Sequence, residues 1–193
     1  MVHKKIVVIG DGACGKTCLS VTFCKNEFPE DHIPTIYDTY CKTVLVEDRN
    51  VELAVWDTAG EEDYDRLRPL SYANASVIIV CFAIDNPISL SNVEAKWAPE
   101  VKHYCRKVPL ILVGNKLDLR NNTGSVEALQ TRDLHPVNYE EGMKMAKKIK
   151  ARNYIECSAK HMMRVQDVFL TAAHIALEQD TVQKCCSCFK TIK

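Results

Sequence analysis

The stretch Gly10-Asp11-Gly12-Ala13-Cys14-Gly15-Lys16-Thr17 has the spacing G-x-x-x-x-G-K-T. Glycines so placed let the backbone curl until successive N–H groups point inward at an anion. Lys16 adds a full positive charge, and Thr17 a hydroxyl suited to Mg²⁺. Upstream, Lys4-Lys5-Ile6-Val7-Val8-Ile9 reads as a strand. Downstream, Cys18-Leu19-Ser20-Val21-Thr22-Phe23 opens a helix whose N-terminus contributes partial positive charge. Strand, glycine-rich loop and helix in that order are the setting a phosphate-binding loop needs, so Gly12, Ala13, Cys14, Gly15, Lys16, Thr17 and Cys18 are the candidate phosphate ligands.

Three further loops add chemistry. Asp57-Thr58-Ala59-Gly60 ends an apolar run. An aspartate there can reach Mg²⁺ through water, and Gly60 leaves its N–H free to approach a γ-phosphate. Asn115-Lys116-Leu117-Asp118 follows the run Leu110–Val113, and Ser158-Ala159-Lys160 follows Tyr154–Cys157. A carboxylate at Asp118 accepts from both the N1–H and the exocyclic amine of guanine, a pair adenine does not offer. Lys116 can lay its stem along a base, and the Ser158–Lys160 loop can offer an N–H to the guanine oxygen. The three loops share the carboxyl edge where open α/β sheets bind ligands, which points to GTP or GDP.

The elements that must hold these loops read as apolar runs separated by helical stretches, an α/β fold of the P-loop NTPase type with a mostly parallel sheet and helices on both faces. Residues 37–46 and 51–57 read as strands meeting at Glu47-Asp48-Arg49-Asn50, giving one antiparallel edge strand. Val77–Ile84 is apolar throughout, as a strand buried on both faces is. Helices are expected at 16–25, after Pro87, at 139–150 and at 162–178, the last burying Val165, Val168, Phe169, Ala172 and Ala176. Residues 121–138 are polar and read as a surface insertion with a short helix-like run at 126–130. One domain over 1–179 is expected, followed by a flexible tail over 180–193.

Composition narrows the class. Among 193 residues, Lys and Arg together balance Asp and Glu at 25 each. No field argues for nucleic acid, and no basic cluster accompanies an aromatic face. The ten cysteines are scattered, apart from Cys185, Cys186 and Cys188, and the opening Met-Val-His-Lys-Lys runs straight into the first strand. Free thiols in a cytoplasmic chain are expected. The cysteine cluster has no second pair or nearby histidine to complete a zinc site.

Carried by these motifs in this order, the sequence resembles the Ras-superfamily small GTPases and, more narrowly, the Rho family. The narrower likeness rests on Trp56-Asp57-Thr58-Ala59-Gly60, on Glu62-Asp63-Tyr64-Asp65-Arg66-Leu67-Arg68-Pro69-Leu70-Ser71-Tyr72, and on the insertion at 121–138. Cys14 and Pro99-Glu100-Val101-Lys102-His103 lean toward the actin-controlling Rho subfamily. The resemblance implies a monomeric switch that hydrolyses GTP with Mg²⁺. Phe28 would stack near the base, and Thr35 would bind Mg²⁺ alongside Thr17. Catalysis would fall to Gly60, Lys16 and the residue at 61. It also implies effectors, exchange factors and GTPase activators, with a dissociation inhibitor as a further candidate, reading the loops around Ile36, Tyr37, Asp38, Tyr64, Leu67 and Leu70.

The sequence leaves the family pattern at several places. Glu61 stands where glutamine orients the attacking water. A carboxylate accepts hydrogen bonds but does not donate them, and its charge opposes the γ-phosphate. Against that, it can serve as a general base if its neighbours raise its pKa. Slowed activator-stimulated turnover is the expectation, with a persistently GTP-bound binding module as the alternative. His32 replaces a tyrosine over the phosphates, and Thr39 an asparagine in the effector loop. The ending Cys188-Phe189-Lys190-Thr191-Ile192-Lys193 has no C-a-a-X box, so prenylation is not expected. Palmitate on Cys185, Cys186 or Cys188 would give contact with the inner face of the plasma membrane, though one weak signal anchors poorly.

Overall fold

The computed structural model describes residues 1–30 and 37–188, with side chains through 179. Expectations for His32, Thr35 and Ile36, for the side chains of Cys185, Cys186 and Cys188, and for the residues beyond them lie outside the described residues.

Strand β1 (Val2–Gly10) forms from a β-branched run, and its alternation serves two cores at once. Ile6 and Val8 enter one hydrophobic cluster, while Val7 and Ile9 enter the other. Strand β4 (Val77–Ala83) is buried along its whole length for the same reason, with Val77, Ile79 and Cys81 facing one side and Ile78, Val80 and Phe82 the other. Between these strands come helix α1 (Lys16–Lys25), β2 (Tyr37–Val46) and β3 (Arg49–Thr58). After β4 follow α2 (Pro87–Asn92), a π-helical turn (Val93–Trp97), α3 (Ala98–Tyr104), β5 (Leu110–Asn115), α4 (Thr123–Gln130), α5 (Tyr139–Lys148), β6 (Asn153–Glu156) and α6 (Val165–Cys188).

The six strands lie in the order β2-β3-β1-β4-β5-β6. Only the β2–β3 pairing is antiparallel. Helices cover both faces, as expected. Leu19 and Phe23 of α1 pack with Val168 and Phe169 of α6 on one face, the Phe23 and Phe169 rings stacked at 4.0 Å between centroids. Trp97, Val101 of α3 and Ala146 of α5 pack on the other. All five residues expected in the α6 core are buried.

Three boundaries differ from the sequence reading. The β2–β3 turn is shorter than the polar run suggests: Val46 pairs with Arg49, and Glu47 and Asp48 alone turn the chain at φ 49 and 59. Helix α4 starts at Thr123 because the Asn122 side chain accepts from the Ser125 N–H at 3.1 Å and caps it. Helix α6 begins only at Val165, since Met162 and Arg164 hold positive φ, and it then continues through Cys188, where a flexible tail from 180 was expected. Residues 180–188 contain no glycine or proline to stop the helix, and propagating a helix already anchored in the core costs little.

Candidate functional site

Parallel strands bring their carboxyl ends to one edge, and every singled-out loop within the described residues lies there. Register sets Val8 of β1 beside Asp57 of β3, and Ala83 of β4 beside Asn115 of β5. The loop after β1 turns through Ala13 at φ 58 and Gly15 at φ 87 before α1 begins. Gly15 is irreplaceable on two counts: a side chain disfavours that φ, and a Cβ there would collide with the Asn115 amide. That amide donates to the carbonyls of Cys14 at 3.2 Å and Gly15 at 2.9 Å, fastening the loop after β5 to the loop after β1. Gly60 is packed as tightly, and against backbone. A Cβ there would meet the Asp11 and Gly12 backbone, so the loop after β3 rests directly on the phosphate loop.

Lys16 is buried, and its Nζ donates to the Asp11 carbonyl at 2.7 Å, which aims it along the inside of the loop. Asp57 is fully buried at the end of β3 and accepts from the Thr17 hydroxyl at 2.5 Å. The surrounding cavity, about 320 Å³, is walled by Gly12, Ala13, Gly15, Lys16, Thr17 and Cys18 on one side and by Thr58, Ala59, Gly60 and Glu61 on the other. Glu61 is exposed at its mouth and leans over the phosphate loop, its Cγ 3.8 Å from where a Cβ on Gly12 would stand.

A second cleft of about 180 Å³ adjoins the first and shares Gly15 and Cys18 with it. Its walls are Phe28, Asn115, Lys116, Asp118, Leu119, Ala159 and Lys160. The Ser158 hydroxyl, fully buried, donates to Asp118 Oδ1 at 2.5 Å and fixes that carboxylate. The loop holding Ser158 is closed by paired backbone bonds with Met163 at 3.0 and 2.9 Å. Lys116 takes φ 61 and stays 3.7 Å from Asp85. A part-apolar cleft with a fixed carboxylate, adjoining a cationic cavity at a helix N-terminus, has the chemistry for a purine nucleotide.

The donor set also fits a divalent ion. Mg²⁺ takes one or two protein oxygens and completes its shell with phosphate and water. Thr17 and Asp57 supply a hydroxyl and a carboxylate in contact at the helix N-terminus. Among the described residues no cluster of three His, Cys, Asp or Glu side chains could hold a metal by itself.

Cysteine reactivity is not what this site offers. Burial pushes the Cys18 thiol up, and Cys157 to about 12. Cys14 moves the other way, to about 7, through its hydrogen bond with Cys81 against the opposing effect of burial. At 1 % exposure Cys14 is shut inside the loop.

Sequence reasoning missed the support beneath the phosphate loop. Both Asp11 carboxylate oxygens accept at 2.6 Å, one from Asn92 Nδ2 and one from Trp97 Nε1. The Arg68 guanidinium lies 4.6 Å from the Trp97 ring centroid. It donates to the carbonyls of Ala59 at 3.1 Å and Glu61 at 3.3 Å, and pairs with Glu100 at 2.9 Å and Asp65 at 2.5 Å. One buried cation thus holds both carbonyls that flank Gly60. The π-helical turn that brings Trp97 over Asp11 has no motif to announce it.

A model of the Ras family matches residues 5–178. That span takes in every loop of the groove and all but the first strand residues and the end of α6. The groove is what a guanine nucleotide switch needs, and the chain belongs to the Ras family of small GTP-binding proteins, switches that as a family hydrolyse GTP.

Proposed function

We propose that this chain is a Rho-type switch that binds GTP and GDP in the groove and hydrolyses GTP slowly because of Glu61. In this reading Gly12, Ala13, Cys14, Gly15, Lys16, Thr17 and Cys18 wrap the phosphates. Asn115, Lys116 and Asp118 read guanine, with Ser158, Ala159 and Lys160 closing the pocket and Phe28 lying against the base. The observation that carries guanine over adenine is Asp118, held by Ser158 at 2.5 Å within the cleft that adjoins the phosphate cavity. Thr17 and Asp57 would hold Mg²⁺, with Thr35 joining by the family resemblance. The ion would supply charge neutralisation at the phosphates.

The chain's own residues set the rest. Lys16 brings its charge to the phosphates, and Gly60, set between two carbonyls that Arg68 holds, lines the phosphate cavity, where its N–H would approach the γ-phosphate. Glu61 stands at the mouth where an attacking water would be oriented. Its carboxylate can accept from that water but gives no donor to the transition state. Activator-stimulated turnover is therefore slower than with glutamine.

Effectors, exchange factors and activators would read Tyr37, Asp38, Tyr64, Leu67 and Leu70. Support for this comes from exposure: Tyr37 is 49 %, Leu67 56 % and Leu70 73 % accessible, around an apolar groove of about 260 Å³ floored by Trp56. Signalling toward the actin cytoskeleton rests on the Rho resemblance. A second reading is also favoured by Glu61: if its charge abolishes hydrolysis, the chain is a persistently GTP-loaded binding module regulated by abundance. Nucleotide released from purified native protein distinguishes the two. Predominantly GDP supports the hydrolysing switch, and predominantly GTP supports the persistent module.

A further inference from the structure

We propose that the end of the molecule opposite the nucleotide groove, on its β5 and β6 side, is a docking surface for anionic lipid. The groove occupies the carboxyl ends of the parallel strands, so the amino ends of β5 and β6 form the far end. Two basic segments meet there. Lys102, Arg106 and Lys107 lie on the end of α3 and the following loop, and Lys147, Lys148, Lys150 and Arg152 on the end of α5 and the turn into β6. Neither segment, 102–107 or 144–152, contains an acidic residue. The Arg152 N–H donates to the Leu110 carbonyl at 2.8 Å, which fixes the two segments side by side.

All of these cations are exposed. Lys148 pairs with Glu94 at 2.6 Å, and Arg152 with Glu178 at 3.0 Å, both at the surface where such pairs hold weakly. Lys102, Arg106, Lys107, Lys147 and Lys150 make no ion pair among the described residues. In a chain whose charges sum to +0, this concentration leaves the far end positive and the rest correspondingly negative.

The chemistry of the patch selects its partner. A protein interface needs a desolvated apolar centre. Here the apolar side chains Val108, Leu110, Ile149 and Ala151 are turned into the core. Tyr104, 53 % exposed, is the large apolar side chain that stands out among the cations. Charge density with one amphipathic ring at its border suits a headgroup layer, where tyrosine settles at the interface and each nearby cation adds about fivefold to binding. Helix α6 points the same way: Glu178, paired with Arg152, marks where it passes this end, and its backbone runs on to Cys188, about 15 Å further. Docked so, the nucleotide groove faces away from the lipid. No helix among the described residues is long and apolar enough to cross a membrane, so contact here is peripheral.

The test uses the full chain, unacylated and loaded with GDP, in co-sedimentation with vesicles of phosphatidylcholine alone or mixed with phosphatidylserine, across a salt series. Binding is expected only to the phosphatidylserine vesicles and should fall as salt rises. Arg106→Gln/Lys107→Gln/Lys150→Gln should weaken it at least about tenfold while leaving GDP binding and the melting midpoint unchanged, whereas Lys25→Gln on α1 should have no effect. Failure to bind phosphatidylserine vesicles at low salt, equal binding to neutral vesicles, or undiminished binding by the triple variant each overturns the proposal. If the chain ignores vesicles but binds poly-glutamate through these same residues, the partner is an acidic protein and the lipid assignment is wrong.

Discussion

Asp57 and Asp118 stand at opposite ends of one groove, and each owes its position to a hydroxyl, Thr17 for the first and Ser158 for the second. Both aspartates are legible in the sequence because the chemistry of a nucleotide site constrains residue type at fixed places in a loop. Replacing Asp118 tests the base-reading half of the groove. Asp118→Asn keeps the volume but loses the charge that, in the proposed site, would accept from two guanine donors, so GDP affinity should fall about tenfold to a hundredfold, measured by displacement of a fluorescent analogue. Unchanged affinity would remove Asp118 from the base site. Asp11 was not legible in the same way. Its position in the G-x-x-x-x-G-K-T spacing is free, and its partner Trp97 lies 86 residues away.

Elements set the next scale, and there the sequence was informative wherever burial alone dictates structure. The β-branched runs of β1, β4 and β5 announce themselves because both faces of those strands are covered. Helix ends are harder, since a cap is a local accident of geometry. Helix α5 closes with the Ala151 N–H bonded to the Ala146 carbonyl at 2.8 Å and the Lys150 N–H to the Lys147 carbonyl at 3.2 Å. This places Lys150 in the left-handed region at φ 59, where glycine is the unstrained residue. Lys150→Gly should therefore stabilise the fold by about 0.5–1 kcal/mol in urea denaturation, and a loss of stability would contradict that account of the helix end.

The Arg68 assembly joins the loop after β3 to the π-helical turn and α3, and its absence should be felt twice. The Arg68 side chain is 1 % exposed and Glu100 14 %. Arg68→Gln leaves Glu100 without its cation and should cost about 3 kcal/mol of stability by chemical denaturation. It also frees the carbonyls on either side of Gly60, so single-turnover hydrolysis should fall further than GDP affinity does. Equal losses of both would make Arg68 a structural residue only. Tyr72, whose hydroxyl donates to Glu100, keeps its proton under all ordinary conditions, because burial and that carboxylate raise its pKa far above the usual tyrosine value.

At the scale of the whole molecule, the nucleotide is part of the stability. Gly60 resting on the phosphate loop and Asn115 fastening it mean that three loops share contacts at one edge, and a ligand bridging them adds its binding energy to the fold. At a thousandfold excess over Kd that amounts to about 4 kcal/mol. Chelating divalent ions from the GDP-loaded protein should lower its melting midpoint, and restoring Mg²⁺ should recover it. Indifference to chelation would argue against the assignment of Thr17 and Asp57. The overall fold was legible because alternating strands and helices admit few arrangements, and because right-handed crossovers bring all the loops to one edge. The length of α6 was not, since no residue in 180–188 marks where the helix ends.

The central claim is that this member of the Ras family still turns its GTP over and that Glu61 sets how fast. Single-turnover hydrolysis of bound GTP, with a Rho-type activator present, tests it by comparing the native chain with Glu61→Gln. The account predicts that both convert GTP to GDP and that the glutamine variant is at least about tenfold faster. Equal rates in the two proteins, or GTP left intact in both, would contradict it.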